Sequence, residues 1–173
     1  MHGIQLDPIV KKFFTSFSRL EYALKRAGHV KSRGRNGAAE PNWTEFAERV
    51  QDKFEGMMHS PEHPQLAQAV EFIRNVPPRK LVLIEEDGIK RLYWKVSPPT
   101  GANLDELLTL VKRIRNNLFH GEKPETLVGG NRRGAELITA AQEIIDTCIS
   151  LDRTVHRYFA RSSPRVPRLN PRD

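Results

Sequence analysis

Along most of the chain, apolar residues recur every three or four positions, the period of a helix buried on one face. Phe13, Phe17, Leu20 and Leu24 set that period near the start. They predict a first helix from about Asp7 to Ala27, with Asp7 as N-cap, Pro8 in the first turn and Gly28 ending it. Lys31 to Glu40 is polar and glycine-containing, and reads as a loop. Asn42 is placed to cap a second helix running to about Phe54, with Phe46 and Val50 inward. Ser60, Pro61 and Pro64 interrupt the pattern, and a third helix covers about Gln65 to Asn75 before Pro77-Pro78.

The period then shortens. Lys80-Leu81-Val82-Leu83-Ile84 is a strand-like run, and Ile89 to Lys95 alternates loosely through Tyr93 and Trp94. Glu86-Asp87-Gly88 lies between them, and Asp-Gly is a strong hairpin signal. Ser97-Pro98-Pro99 closes this unit. The helical period resumes at Asn103, which caps a helix ending at Gly121. A loop with Pro124 and Gly129-Gly130 leads to one long last helix, from about Arg132 to Phe159, with Leu137, Ala141, Ile145 and Ile149 inward. The fold class read from this pattern is mainly α, a helical bundle with a small β-hairpin insertion. Residues 1–160 read as one domain, since 173 residues leave little room for two cores. Residues 161–173 read as a flexible tail in which Arg161, Arg165, Arg168 and Arg172 alternate with prolines.

Composition narrows the setting. Hydrophobic residues make up 38% and charged residues 28%, and no apolar run nears the roughly 20 residues of a membrane helix. The first residues lack the basic-then-apolar pattern of a signal peptide. Cys148, the single cysteine, sits among Ile144, Ile145 and Ile149 and reads as a core residue. These features lead us to expect a cytoplasmic protein without membrane contact. The formal net charge of +7 favours polyanionic partners, nucleic acid included. Lys31, Arg33 and Arg35 add a second basic stretch, which reads equally as solvated loop.

One helix carries the candidate chemistry. On a wheel of about 100° per residue, Leu107, Val111, Ile114 and Leu118 form a tight stripe. Leu104, Leu108 and Phe119 widen it to one side, and Arg115 falls inside that widened arc. A cation there must snorkel out or find a partner. Asn116 and His120, four apart, share another face. Arg115 and His120 stand about 140° apart on an ideal helix, and a second copy of the helix across a two-fold axis would bring two of each together. His titrates near neutrality, and Arg holds phosphate through paired hydrogen bonds. Together these groups suit RNA cleavage by the ribose 2′-hydroxyl without a metal. The residues alone leave a plain alternative open: Arg115 as an internal bridge to Glu21 or another acid of the bundle, and His120 as a helix-end cap.

The run Arg115-Asn116-Asn117-Leu118-Phe119-His120-Gly121 resembles the signature of the HEPN superfamily (higher eukaryotes and prokaryotes nucleotide-binding domains). That signature is an Arg, a gap of four to six residues and a His at a helix end, often with Asn after the Arg. Arg19-Leu20-Glu21-Tyr22-Ala23-Leu24-Lys25 is similar to the first helix of bacterial members, so the likeness spans most of Asp7 to Phe159. The resemblance implies an up-and-down bundle, dimeric through the motif helix. It implies a metal-independent endoribonuclease of toxin–antitoxin or antiviral systems that leaves a 2′,3′-cyclic phosphate, with Arg115 and His120 catalytic and Asn116 assisting. It equally accommodates a non-catalytic module that binds a nucleotide or protein. RNA is the expected substrate, with an antitoxin or a nucleotidyltransferase as further partners. Arg113, Lys112, Asn117, Arg132 and Arg133 are the expected RNA contacts.

No cofactor or metal is called for. His59 and His63 have ligand-like spacing, but Pro61 and Pro64 break the helix and no third ligand is near. Trp43 and Trp94 read as packing anchors, and His29 and His156 as surface residues near helix ends. Gly129-Gly130-Asn131-Arg132-Arg133-Gly134 lacks the Lys-Ser/Thr of a phosphate loop and reads as a helix-entry loop.

Overall fold

A computed structural model describes residues 8–33, 37–97, 101–119 and 131–162. Six helices and two antiparallel hairpins are found among them, so the fold is mainly α. No described helix is long and apolar enough to cross a membrane.

Helix α1 (Pro8–Arg26) buries Val10, Phe13, Phe17, Leu20 and Leu24, the face its periodicity marks. Its end is a glycine-centred turn. Gly28 takes φ +97°, the His29 N–H donates to the Leu24 carbonyl at 2.9 Å, and the Gly28 N–H donates to Lys25 at 3.3 Å. In this arrangement the residue after the glycine is turned back onto the helix. His29 is therefore core, only 1% exposed, rather than the surface residue its sequence neighbourhood suggests.

The expected loop after Gly28 is instead a short hairpin of β1 (Val30–Arg33) and β2 (Ala38–Pro41). Its sequence has little β-branched or aromatic character, so periodicity gives no sign of it. Helix α2 (Trp43–Met58) follows, capped by Asn42, whose side chain accepts from the Glu45 N–H at 3.4 Å and donates to the Glu45 carboxylate at 2.9 Å. Helix α3 (Pro64–Asn75) starts after His63.

The hairpin of β3 (Lys80–Glu86) and β4 (Ile89–Lys95) forms where the alternation places it. Asp87 and Gly88 both have positive φ, 52° and 74°, as a two-residue type I′ turn requires. Helix α4 (Leu104–Phe119) buries Leu104, Leu107, Leu108, Leu110, Val111, Ile114 and Leu118. Its start is held by Asn103, whose side chain accepts from Glu106, and by Gln51 of α2, which accepts from the Leu104 N–H at 2.8 Å.

The expected single last helix is two. Helix α5 (Asn131–Leu151) stops before Asp152, and α6 (Arg153–Arg161) restarts after it. Asp152 is extended, at φ −122° and ψ 117°, and its carboxylate accepts from the N–H groups of Thr154 and Val155 at 2.8 and 3.0 Å. An aspartate capping the next turn competes with helix continuation, and here the cap wins. Helix α5 buries Leu137, Ile138, Ala141, Ile144, Ile145, Cys148 and Ile149, leaving one exposed stripe along Glu136, Thr139, Asp146 and Ser150, and the other five helices pack on it. Cys148 is fully buried, as its neighbours imply, and burial pushes its thiol up to about 12. Helix α6 lies back on α1, where Arg19 donates to the Phe159 carbonyl at 2.7 Å and covers the Phe159 ring. The tail after Ser162 lies outside the described residues.

Candidate active site

The two sides of α4 are put to different uses. Arg113 and Asn117, one turn apart, face the β3–β4 hairpin. Arg113 donates through Nη1 to the carbonyls of Pro78 at 3.2 Å and Ser97 at 3.0 Å, the two ends of the hairpin. Asn117 donates through Nδ2 to the Arg79 carbonyl at 2.8 Å. Both were expected to touch RNA. Here their donors hold the base of the hairpin against the helix, and burial lowers the Arg113 pKa from its ordinary value.

The other side carries Lys112, Arg115 and Phe119, spaced to share a face. It meets α1 and the start of α2. The Phe17 and Trp43 rings pack together with centroids 5.3 Å apart. The Arg115 guanidinium lies over Phe17 at 5.6 Å and over Phe119 at 4.9 Å, and the Lys112 ammonium lies 5.9 Å from Trp43. Aromatic faces therefore surround the two cations, which explains how an arginine sits in an apolar arc. Nη1 of Arg115 donates to the Asn116 side-chain oxygen at 3.0 Å, so the first two residues of the motif are in direct contact. Its Nε is buried and finds no acceptor among the described residues.

Glu21 completes the surroundings. Burial pushes its carboxyl above the ordinary value, while the charges of Arg115 and Lys25 pull it back. Burial also lowers the Lys112 pKa, against the pull of Asp105 and Glu21. The arrangement is a half-buried carboxyl facing a guanidinium without an ion pair closing between them. Such a guanidinium keeps hydrogen-bonding capacity for an incoming anion.

His120 lies outside the described residues, as does the side chain of Arg132. Arg133 is exposed in the first turn of α5. The structure thus joins Arg115 to Asn116, sets Lys112 beside them over Trp43, and turns Arg113 and Asn117 the other way. Phe17 and Phe119 are neighbours of Arg115 that periodicity treats as packing residues. Phe119, 64% exposed at the helix end, was legible only as an apolar residue one turn beyond Arg115.

Other candidate positions resolve locally. His59 ends α2 and His63 precedes α3, and among the described residues no group of three or more His, Cys, Asp and Glu is placed to hold a metal ion. Trp43 is a packing anchor, as expected, and also the ring under Lys112. Buried His29 has Nδ1 3.3 Å from Glu45 and Nε2 4.0 Å from Asp152. Searches against protein-family models, curated proteins and solved structures returned no match for this chain.

Proposed function

We propose that this chain is a metal-independent endoribonuclease of HEPN type, acting as a homodimer in which the α4 ends of two copies meet. What carries the reading is the setting of Arg115. It is a cation braced by Phe17 and Phe119, bonded to Asn116, and five residues before His120 in the sequence. A guanidinium held in this way is pre-oriented for a phosphate, and its aromatic surroundings reduce competition from water. The net charge of +7 favours the same polyanionic substrate.

In this scheme the ribose 2′-oxygen attacks the neighbouring phosphorus and the bond to the 5′-oxygen breaks. His120 takes the 2′-proton as the bond to phosphorus forms and returns a proton to the leaving 5′-oxygen, the two transfers falling to one copy's His120 or being shared between the two copies. Arg115 binds the phosphate oxygens as charge builds on them, and Asn116 fixes the guanidinium. The products are a 2′,3′-cyclic phosphate and a 5′-hydroxyl, and DNA is spared for want of the 2′-hydroxyl. The biological setting we assign is toxin–antitoxin or antiviral defence, in the cytoplasm, with an antitoxin or nucleotidyltransferase as regulatory partner.

The test is cleavage of a fluorescent mixed-sequence RNA in excess EDTA, comparing the unaltered chain with a folded His120→Ala variant. Cleavage by the unaltered chain alone, with cyclic-phosphate ends, is the expected result. Binding of RNA or nucleotide without turnover in both would replace the enzyme with a non-catalytic module built on the same cleft.

A further inference from the structure

Among the described residues, the side-chain hydrogen bonds that anchor the β3–β4 hairpin reach its base, from Arg113 and Asn117. Beyond that base, Leu83 is 58% exposed and Leu92 is 65% exposed, and Leu81, Ile84, Ile89 and Tyr93 are exposed as well. An isolated two-stranded ribbon is marginal in water, and apolar side chains on both of its faces make it more so. Among the described residues no strand pairs with either outer edge.

The register shows which edge is ready to pair. The two-residue turn makes Glu86 and Ile89 a hydrogen-bonded pair, and the one-to-one register continues back to Lys80 opposite Lys95 without a bulge. Backbone groups of Lys80, Val82, Ile84 and Glu86 therefore point at β4. Those of Leu81, Leu83 and Glu85 point outward. We propose that β3 pairs antiparallel with β3 of a second copy, centred on Leu83, giving a four-stranded sheet in the order β4, β3, β3, β4. In that register Leu83 meets its own copy and Leu81 meets Glu85, so every outward-pointing backbone group of β3 acquires a partner. Lys80 then stands opposite Glu86 of the other copy, and Val82 opposite Ile84. These are the pairs without backbone hydrogen bonds, where side chains lie closest.

Charge selects this edge. Two copies of β3 place each lysine against a glutamate. Two copies of β4 would bring together Lys90, Arg91 and Lys95 from each chain with no acid between them. Pairing β3 of one copy with β4 of another is also charge-matched, but it leaves an open edge at each end and grows into a fibre instead of closing. Nor does β3 contain a proline or bulge that would block its edge. The pairing needs no contact between α4 helices and stands whether or not the chain cuts RNA.

Cysteine cross-linking of the full chain tests it independently of any other interface. Cys148 is fully buried and stays silent. A Leu83→Cys variant places two thiols across a pair about 5.5 Å apart at Cα, within disulfide reach. Leu92→Cys, equally exposed, places them three strand spacings apart, about 14 Å, and out of reach. The expected result is a covalent dimer from Leu83→Cys and none from Leu92→Cys. Adding Lys80→Glu or Glu86→Lys to Leu83→Cys slows cross-linking about tenfold, and adding both restores it, since the swapped pair is again opposite in sign. Equal cross-linking at both positions, none at either, or rates indifferent to the charge changes would overturn the pairing.

Discussion

Arg115→Ala separates a binding arginine from a structural one by the size of its stability cost. The side chain lies over two rings, Phe17 at 5.6 Å and Phe119 at 4.9 Å, in a half-buried setting. Contacts of this kind contribute about 0.5–1 kcal/mol each, so their loss costs about 1–2 kcal/mol together. The hydrogen bond to Asn116 adds little, because Asn116 is exposed and takes water in its place. The charge opposing the burial of Glu21 is also lost, which makes that carboxyl easier to protonate without leaving a broken ion pair. By contrast, an arginine bridging to a buried acid costs about 3–5 kcal/mol on removal. Urea unfolding followed by circular dichroism reads the difference directly. The expected midpoint shift is about 1 M or less, with an unchanged slope. RNA cleavage by the same variant is expected to fall at least about 100-fold, the loss seen when a group stabilising transition-state charge is removed. A cost of 3 kcal/mol or more, relieved by adding Glu21→Gln, would refute the reasoning: Arg115 would then be an internal bridge, and the ribonuclease proposal would lose the observation that carries it.

Three further outcomes follow from the packing. Asp152→Ala removes the cap of α6 and is expected to cost about 1–2 kcal/mol, with Asp152→Asn milder because it keeps a capping oxygen; calorimetry of the two variants checks the order. Burial raises the Asp152 carboxyl, but hydrogen bonds from Val155 and Thr154, with Arg49 and His29 nearby, hold it below its ordinary value. Its contribution is therefore full above the ordinary carboxylate range and fades as pH falls through the lowered folded value. Asp152→Asn should flatten the acid limb of a stability–pH curve. Arg113→Ala removes the hydrogen bonds to Pro78 and Ser97 at both ends of the β3–β4 hairpin and leaves the Asn117 bond to Arg79, so hydrogen exchange in residues 80–95 is expected to accelerate while helical circular dichroism stays unchanged; unaltered exchange there would show that Arg113 does not anchor the hairpin.

Local signals in the sequence determined the first four helices, the caps at Asn42 and Asn103, and the β3–β4 turn. A buried face repeats at the helical period, and Asn42, Asn103, Asp87-Gly88 and Gly28 act on their immediate neighbours. The same logic identified Arg115 as a cation out of place in an apolar arc, because a wheel shows which side of a helix is buried. It does not show what lies against that side. Only the tertiary structure decided that Phe17 and Phe119 would cover Arg115, that Trp43 would lie under Lys112, and that Arg113 and Asn117 would serve the hairpin. Those partners are remote in sequence, and several residues could equally have filled the space. His29 and Asp152 mark the same boundary. A turn at Gly28 sends His29 into the core, and capping by Asp152 divides a helix whose apolar period runs on unbroken. In both cases a few local hydrogen bonds, between backbone groups at Gly28 and from backbone N–H groups to a carboxylate at Asp152, redirected the chain while the hydrophobic pattern stayed the same.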